Sequence, residues 1–465
     1  MQRQRVQWRR RAPCGGGLPN KYMRIKLSLM ITLLAVLGAR AALAQEVTSH
    51  GDFIPSEELN KQLPHWLRFS GEFRTRLEGF TGGGYRAGND DNYLLTRVRI
   101  NTHIQPATWL KLEFQGQDAR VFWKNQRPAA PPVQNTMDLR LGYIQIGDPE
   151  HKAFGVRAGR QDLLLGEQRL VGNVDWQNVA RSYDAVRLTL RHYGYRIDGF
   201  TGSVVQTVDR EFDRPFRNKG DKLHGLYGGM DKLVPHAVVG PYVLWRATRN
   251  LLTEFSKPGN RDFKTYGVRW AGTLPGSLDY STEFAVQRGW LGSDRIAAWG
   301  GHWLVGYTLS SMGDKPRFIA EYNFASGDKN PHDGVEGTFD QLYPSGHDKY
   351  GLADQVGWRN IHDVRLAVEL HVNAKWQVRP AYHNYWLASA SDALYATSSL
   401  PTTRRADGSA GRRVGQEADL SMLYRVNKYT QASAGVARLF PGQFLKKSTP
   451  GHGYNYTYLM ISSHF

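Results

Sequence analysis

The chain has 465 residues, with 60 Lys+Arg against 42 Asp+Glu, a formal net charge of +18. Its 13 Trp, 23 Tyr and 19 Phe exclude wholesale disorder, which goes with few aromatics. A single Cys excludes a disulfide scaffold and any Cys-rich metal site.

The first element in chain order is a leader. The most apolar stretch runs from Leu27 to Leu37, after Arg24 and Lys26 and before Ala42-Leu43-Ala44. A basic region, a short apolar run and an A-x-A site read as a secretory signal peptide over residues 1–44, with cleavage before Gln45. Residues 1–22 carry Arg3, Arg5, Arg9, Arg10, Arg11 and Lys21 with no acid, which makes Met23 a candidate start. Residues 1–44 hold nine Lys+Arg and no acid, so the other 421 carry 51 against 42, a net of +9. That excess is too modest for a nucleic-acid partner, and export takes the chain out of reach of one. Residues 45–66 are expected to be a short periplasmic segment. Nothing beyond the leader approaches the roughly 18 apolar residues of a spanning helix.

From Leu67 the chain alternates with period two. Leu67, Phe69, Phe73 and Leu77 share one face, and Arg68, Glu72, Arg74, Arg76 and Glu78 the other. Segments of this kind start near 67, 93, 109, 138, 153, 183, 195, 222, 240, 264, 278, 296, 316, 362, 376, 415, 430 and 454, eighteen in all. Most are long enough for a tilted strand to cross a bilayer, roughly 9–11 residues. Short connections such as Gln105–Thr108 alternate with longer ones at 80–92, 119–137, 163–182, 207–221, 250–263, 289–295, 327–361, 389–414 and 441–453. A soluble sandwich has no reason to keep that two-sided alternation, whereas an outer-membrane barrel has short periplasmic turns and long outer loops. The expected fold is therefore all-β: an eighteen-stranded antiparallel transmembrane barrel over 67–465.

The last segment, Tyr454 to Phe465, ends in an aromatic residue, with Thr457, Leu459, Ile461 and Phe465 on one face. Such an ending resembles the signal read by the outer-membrane barrel assembly machinery. Tyr93, Trp109, Trp270, Trp299, Trp376, Trp386, Tyr424, Tyr454 and Phe465 fall near strand ends or on the apolar face, where interface girdles would use them.

A barrel of this size leaves an aqueous channel. The first six strands would point Arg68, Arg74, Arg76, Arg97, Arg99, Lys111, Arg140, Arg157 and Arg187 inward, against Glu72, Glu78, Glu113 and Asp138. Later strands add Asp279, Glu283, Glu321, Asp363, Glu369, Glu417 and Asp419, with Arg317, Arg365, Arg379 and Arg425. Guanidinium groups hold carboxylates in a bidentate fork. Cross-strand pairing that stiffens the wall is an equal reading for any single Arg. Alternation from Phe154 would turn Arg160 outward unless the next loop flips the pattern. Asp162, Glu167, Arg169, Asp175 and Arg181 would build a constriction if the loop 163–182 folds inward; a solvated surface loop is the other reading.

Several stretches resemble the alginate export family of outer-membrane barrels. These are Gly159-Arg160-Gln161-Asp162-Leu163-Leu164-Leu165-Gly166-Glu167-Gln168-Arg169-Leu170-Val171-Gly172 with Trp176 to Leu188, Glu321-Tyr322-Asn323-Phe324-Ala325-Ser326-Gly327-Asp328 with Gly337 to Pro344 and Gly357 to Ile361, and Arg438-Leu439-Phe440-Pro441-Gly442. The resemblance spans about residue 66 to Phe465. It implies one eighteen-stranded barrel in the Gram-negative outer membrane, passing an anionic polysaccharide of the alginate type. A general porin, or one for sugars or organic acids, is the alternative within transport; an outer-membrane enzyme and a structural barrel are the rivals outside it. The expected partners are outer-membrane lipid and lipopolysaccharide, the assembly machinery through Phe465, and an anionic solute. No catalytic residue, cofactor or metal site is expected. The stretch Asp328 to Gly334 only partly matches a calcium loop, because Phe339 stands where that loop needs Glu.

Overall fold

A computed structural model describes residues 55–126, 129–213, 220–252 and 258–465. The expected leader and cleavage site lie outside the described residues. A short helix, α1 (Pro55–Gln62), precedes the first strand. Asn60 anchors it: its side chain donates to the Phe69 carbonyl at 2.7 Å and accepts from the Phe69 N–H at 2.8 Å.

The strands are β1 (Leu67–Thr81), β2 (Asp91–Ala107), β3 (Leu110–Phe122), β4 (Asn135–Gly147), β5 (Phe154–Gln161) and β6 (Tyr183–His192). Next come β7 (Tyr195–Val204), β8 (Asp221–Met230), β9 (Ala237–Leu252), β10 (Pro258–Leu274), β11 (Leu278–Leu291) and β12 (Asp294–Thr308). The last are β13 (Arg317–Ala325), β14 (Ile361–Glu369), β15 (Trp376–Leu387), β16 (Arg413–Arg425), β17 (Thr430–Pro441) and β18 (Tyr454–His464). Each pairs antiparallel with the next, and β18 returns to β1 through Glu72↔His464 to Thr81↔Asn455, which closes an eighteen-stranded barrel with no free edge. Val335–Glu336 adds a two-residue parallel pairing to β12.

The distribution of side chains is the reverse of a water-soluble sheet. Phe73, Ile100, Phe114 and Val186 are exposed on the outer face, while Glu72, Arg74, Arg97 and Arg99 on the opposite face are buried. Alternation that exposes the apolar set and shields the charged set suits a wall with hydrocarbon outside.

Several sequence expectations are corrected. The connection expected at 289–295 shrinks to Gly292-Ser293, because β11 and β12 continue to Leu291 and from Asp294. Much of 250–263 is likewise strand. Tyr93 and Tyr454 do not join an outer girdle. Both are buried on the inner side: Tyr93 donates to Glu78 at 2.6 Å, and Tyr454 stacks on Phe80 at 5.8 Å. The reason is register, since Tyr454, Tyr456 and Tyr458 occupy the face opposite Thr457, Leu459 and Ile461. Trp109, Trp270 and Trp299 are exposed.

At Arg160 the pattern does not flip. The register of β5 against β6 runs unbroken from Phe154↔Leu190 to Gln161↔Tyr183, so Arg160 keeps the parity of Phe154. It is nevertheless buried, pairing with Asp184 at 2.9 Å and donating to the Asp213 carbonyl at 3.0 Å.

Candidate constriction inside the barrel

Two long connections supply apolar side chains to one buried cluster. From 163–182 come Leu163, Leu165, Leu170 and Val171; from the β13–β14 connection come Phe339, Leu342, Tyr343, Tyr350 and Trp358. Backbone bonds splice them: Tyr343 N–H donates to the Leu170 carbonyl at 2.8 Å, and Gly172 N–H to the Tyr343 carbonyl at 2.9 Å. Buried loop backbone needs such partners, because an unpaired N–H or C=O away from water is costly.

The loop 163–182 reaches opposite walls. On one side, Glu167 pairs with Arg269 of β10 at 2.9 Å and accepts from Ser281 of β11. Arg169 pairs with Glu321 of β13 at 3.0 Å, and Arg365 of β14 joins the same carboxylate at 3.1 Å. On the other side, Asp175 meets Arg97 at 3.1 Å and Arg99 at 2.7 Å, both on β2. Of the two sequence readings, the inward-folded loop is the one seen.

Four guanidinium groups of β1 and β2 converge on this loop. Arg74 donates to the carbonyls of Asp175 at 2.8 Å and Gln177 at 2.9 Å. Arg76 donates to the Trp176 carbonyl at 2.5 Å, lies 4.0 Å from the centre of its ring and pairs with Glu78. Arg97 also holds Glu72 at 2.6 Å, and Arg99 bonds Gln117 at 2.8 Å. The other face of Trp176 is taken by His347, stacked at 3.8 Å. Burial acts to raise the Asp175 carboxyl, but Arg97, Arg99 and Arg74 outweigh it and hold it well below the usual carboxylate range.

The remaining candidates divide by partner. Arg140 pairs with Asp162 at 2.6 Å, Lys111 with Glu113 at 3.0 Å, Arg187 with Asp198 at 3.0 Å and Arg379 with Asp348. Arg157 pairs with no carboxylate among the described residues; it bonds Gln145 at 2.7 Å and stacks on Tyr143. Arg181 donates to the Tyr343 carbonyl at 2.6 Å and so serves as a tie between loops. Arg68 bonds the carbonyls of Pro64 and Leu67 at the strand start, and Arg425 the Ala374 carbonyl at 3.4 Å. Asp162, Asp175 and Asp198 were absent from the strand-by-strand tally of carboxylates, so its nine cations face seven acids rather than four.

Sequence reasoning missed Lys349. It lies in the β13–β14 connection, where no periodicity marks a side chain's direction. Its ammonium makes no hydrogen bond or ion pair among the described residues. Burial, aided by the nearby Arg169, pushes its pKa down to about 8. It also missed His302, buried on β12, which approaches Glu321 at 3.3 Å and Glu167 at 3.7 Å.

A closed barrel with an apolar exterior, a charged inner face and an inward-folded loop defines an outer-membrane channel of the porin type. Three solved structures from Pseudomonas aeruginosa share the architecture. OpdQ is 11% identical with a TM-score of 0.59, covering 87% of this chain and 99% of its own. OccK11 (OpdR) is 11% identical at 0.56, covering 86% and 96%. OpdK, solved with vanillate, is 10% identical at 0.57, covering 85% and 98%. No curated protein matches the chain. The alginate export family model matches residues 65–458, and the chain belongs to that family.

Proposed function

We propose that this channel passes anionic solutes, with a polyuronate of the alginate type as the leading cargo. The observation that carries the reading is the convergence of Arg74, Arg76, Arg97 and Arg99 on one inward-folded loop, where Glu72, Glu78 and Asp175 are the carboxylates that pair with them among the described residues. Lys349, whose ammonium forms no ion pair among the described residues, adds a further cation in the β13–β14 connection. A uronate carboxylate passed between such groups is attracted without being trapped, because neighbouring acids weaken each contact.

A second reading, a porin for smaller organic acids, is favoured by the apolar cluster that the two connections build, since Val171, Phe339, Tyr350 and Trp358 are fully buried in it. That packing narrows the space left for a polymer. Single-channel recording in planar bilayers separates the two. Anion preference with block by oligouronates supports polymer passage. Anion preference with ready permeation by monomeric carboxylates and no block supports the smaller solute. Cation preference overturns both.

A further inference from the structure

On the outer wall, the registers of β6 to β11 align one lateral row: Val186, Thr201, His224, Trp245, Lys264 and Arg288. The next row toward the periplasmic turns is Leu188, Gly199, Leu226, Val243, Tyr266 and Val286, with no charge in it. Val186, His224 and Arg288 each lie three residues from the outer end of their strand, about 10 Å along it at roughly 3.3 Å per residue, while β10 runs six residues beyond Lys264 to Pro258. The upper row is therefore the one nearer the outer rim, and the lower row lies deeper in the apolar wall.

Among the described residues, no acid pairs with the cations of the upper row. Among the described residues, Arg288 donates to the carbonyls of Gln287 at 2.7 Å and Ala298 at 3.3 Å and to no acid. The Lys264 ammonium forms no ion pair among the described residues and lies 5.8 Å from the Trp245 ring. Lys264 and Arg288 are direct cross-strand neighbours. The nearest acid along β10, Asp262, accepts the Trp245 indole N–H at 2.8 Å. His224 bonds Thr201 at 2.8 Å, and Lys222 stands one row above. Below these groups the small Gly199 leaves a groove of about 490 Å³, lined by Val186, Leu188, Leu226 and Val243. Two side-by-side cations on a lipid-facing wall are costly unless an anion meets them, and an apolar groove directly beneath them suits the hydrocarbon of that same anion.

We propose that this face of β6–β11 binds a phosphorylated glycolipid of the outer leaflet, with Lys264 and Arg288 on its phosphate and one acyl chain in the groove. The inference rests on the barrel's place in the outer membrane and is independent of the transported solute. The test is native mass spectrometry of the full barrel in detergent with bis-phosphorylated lipid A, alongside dephosphorylated lipid A and inorganic phosphate. The wild-type barrel is expected to retain the phosphorylated lipid. The K264Q/R288Q double variant should weaken retention at least about tenfold, and Gly199→Leu, which fills the groove, should weaken it without altering charge. Heat-modifiable gel mobility checks that each variant forms a barrel. Unchanged retention in either folded variant, equal retention of the dephosphorylated lipid, or displacement by inorganic phosphate alone overturns the proposal. Channel conductance, read on the same samples, separates this outcome from a failure of the transport reading.

Discussion

Arg181 donates to the Tyr343 carbonyl at 2.6 Å, joining the loop after β5 to the connection after β13. The two segments are 162 residues apart in sequence. Removing this tie with Arg181→Ala leaves the barrel's ladder bonds intact and the neighbouring splice at Leu170 and Gly172 in place. The expected result is a barrel of nearly unchanged melting temperature with noisier, flickering single-channel current. An unaltered current trace would remove the loop tie from the gating of the pore.

Asp175 holds Arg97 and Arg99 together, and both guanidinium groups are buried. Asp175→Asn leaves them Glu72 as their one carboxylate among the described residues. Breaking a buried pair costs about 3–5 kcal/mol, but Asp175 is about half exposed, which brings the expected loss to about 1–2 kcal/mol. The loop should loosen and conductance rise. Because the folded carboxyl is held below its ordinary value, its contribution is full above about pH 4 and is lost only as pH falls through the depressed folded value. The difference in conductance between wild type and Asp175→Asn should therefore stay level from pH 7 to about 4.5. A step in that interval would contradict the assignment.

Lys349 makes the opposite pH window informative. With its pKa lowered to about 8, the ammonium is charged below that pH and neutral above it. Anion preference, read as the reversal potential under a salt gradient, should fall as pH rises from 7 to about 9.5. Lys349→Arg should keep the preference through that range, and Lys349→Met should show the reduced preference at pH 7.

Gly159 takes a φ of 123°, and a Cβ there would lie 2.4 Å from the Gly142 carbonyl oxygen. It sits between Arg157 and Arg160, whose opposite parity depends on the unbroken register of β5. Gly159→Val should cost about 1–3 kcal/mol in backbone strain. The expected readout is a lower yield of heat-modifiable barrel, with residual folded protein still conducting.

Strand existence and phase were legible because they are local properties. Arg74, Arg76, Arg97 and Arg99 stand opposite Phe73, Leu77, Val98 and Ile100 by period two alone, and the structure keeps that parity. The same rule was misapplied at Tyr93 and Tyr454, where a strand-end position suggested an outer girdle although parity already placed both side chains inward. The β11–β12 turn was misjudged because alternation fades at Gly289 and Gly292, while the ladder continues through Leu291↔Asp294. The family motif beginning at Gly159 marked the right loop, but not which of its residues touch which wall. Asp175 and Arg181 were in view as loop charges; their partners, at Arg97, Arg99 and Tyr343, were not.

By itself the chain determined the number of strands and which side chains share a face, because both follow from the order of apolar and polar residues along a few consecutive positions. Only the tertiary structure decided that two connections meet inside the barrel, that the Lys349 ammonium forms no ion pair among the described residues, and that Lys264 lies beside Arg288. These depend on barrel closure, which brings residues far apart in sequence within a few ångströms and sets which charge finds which partner.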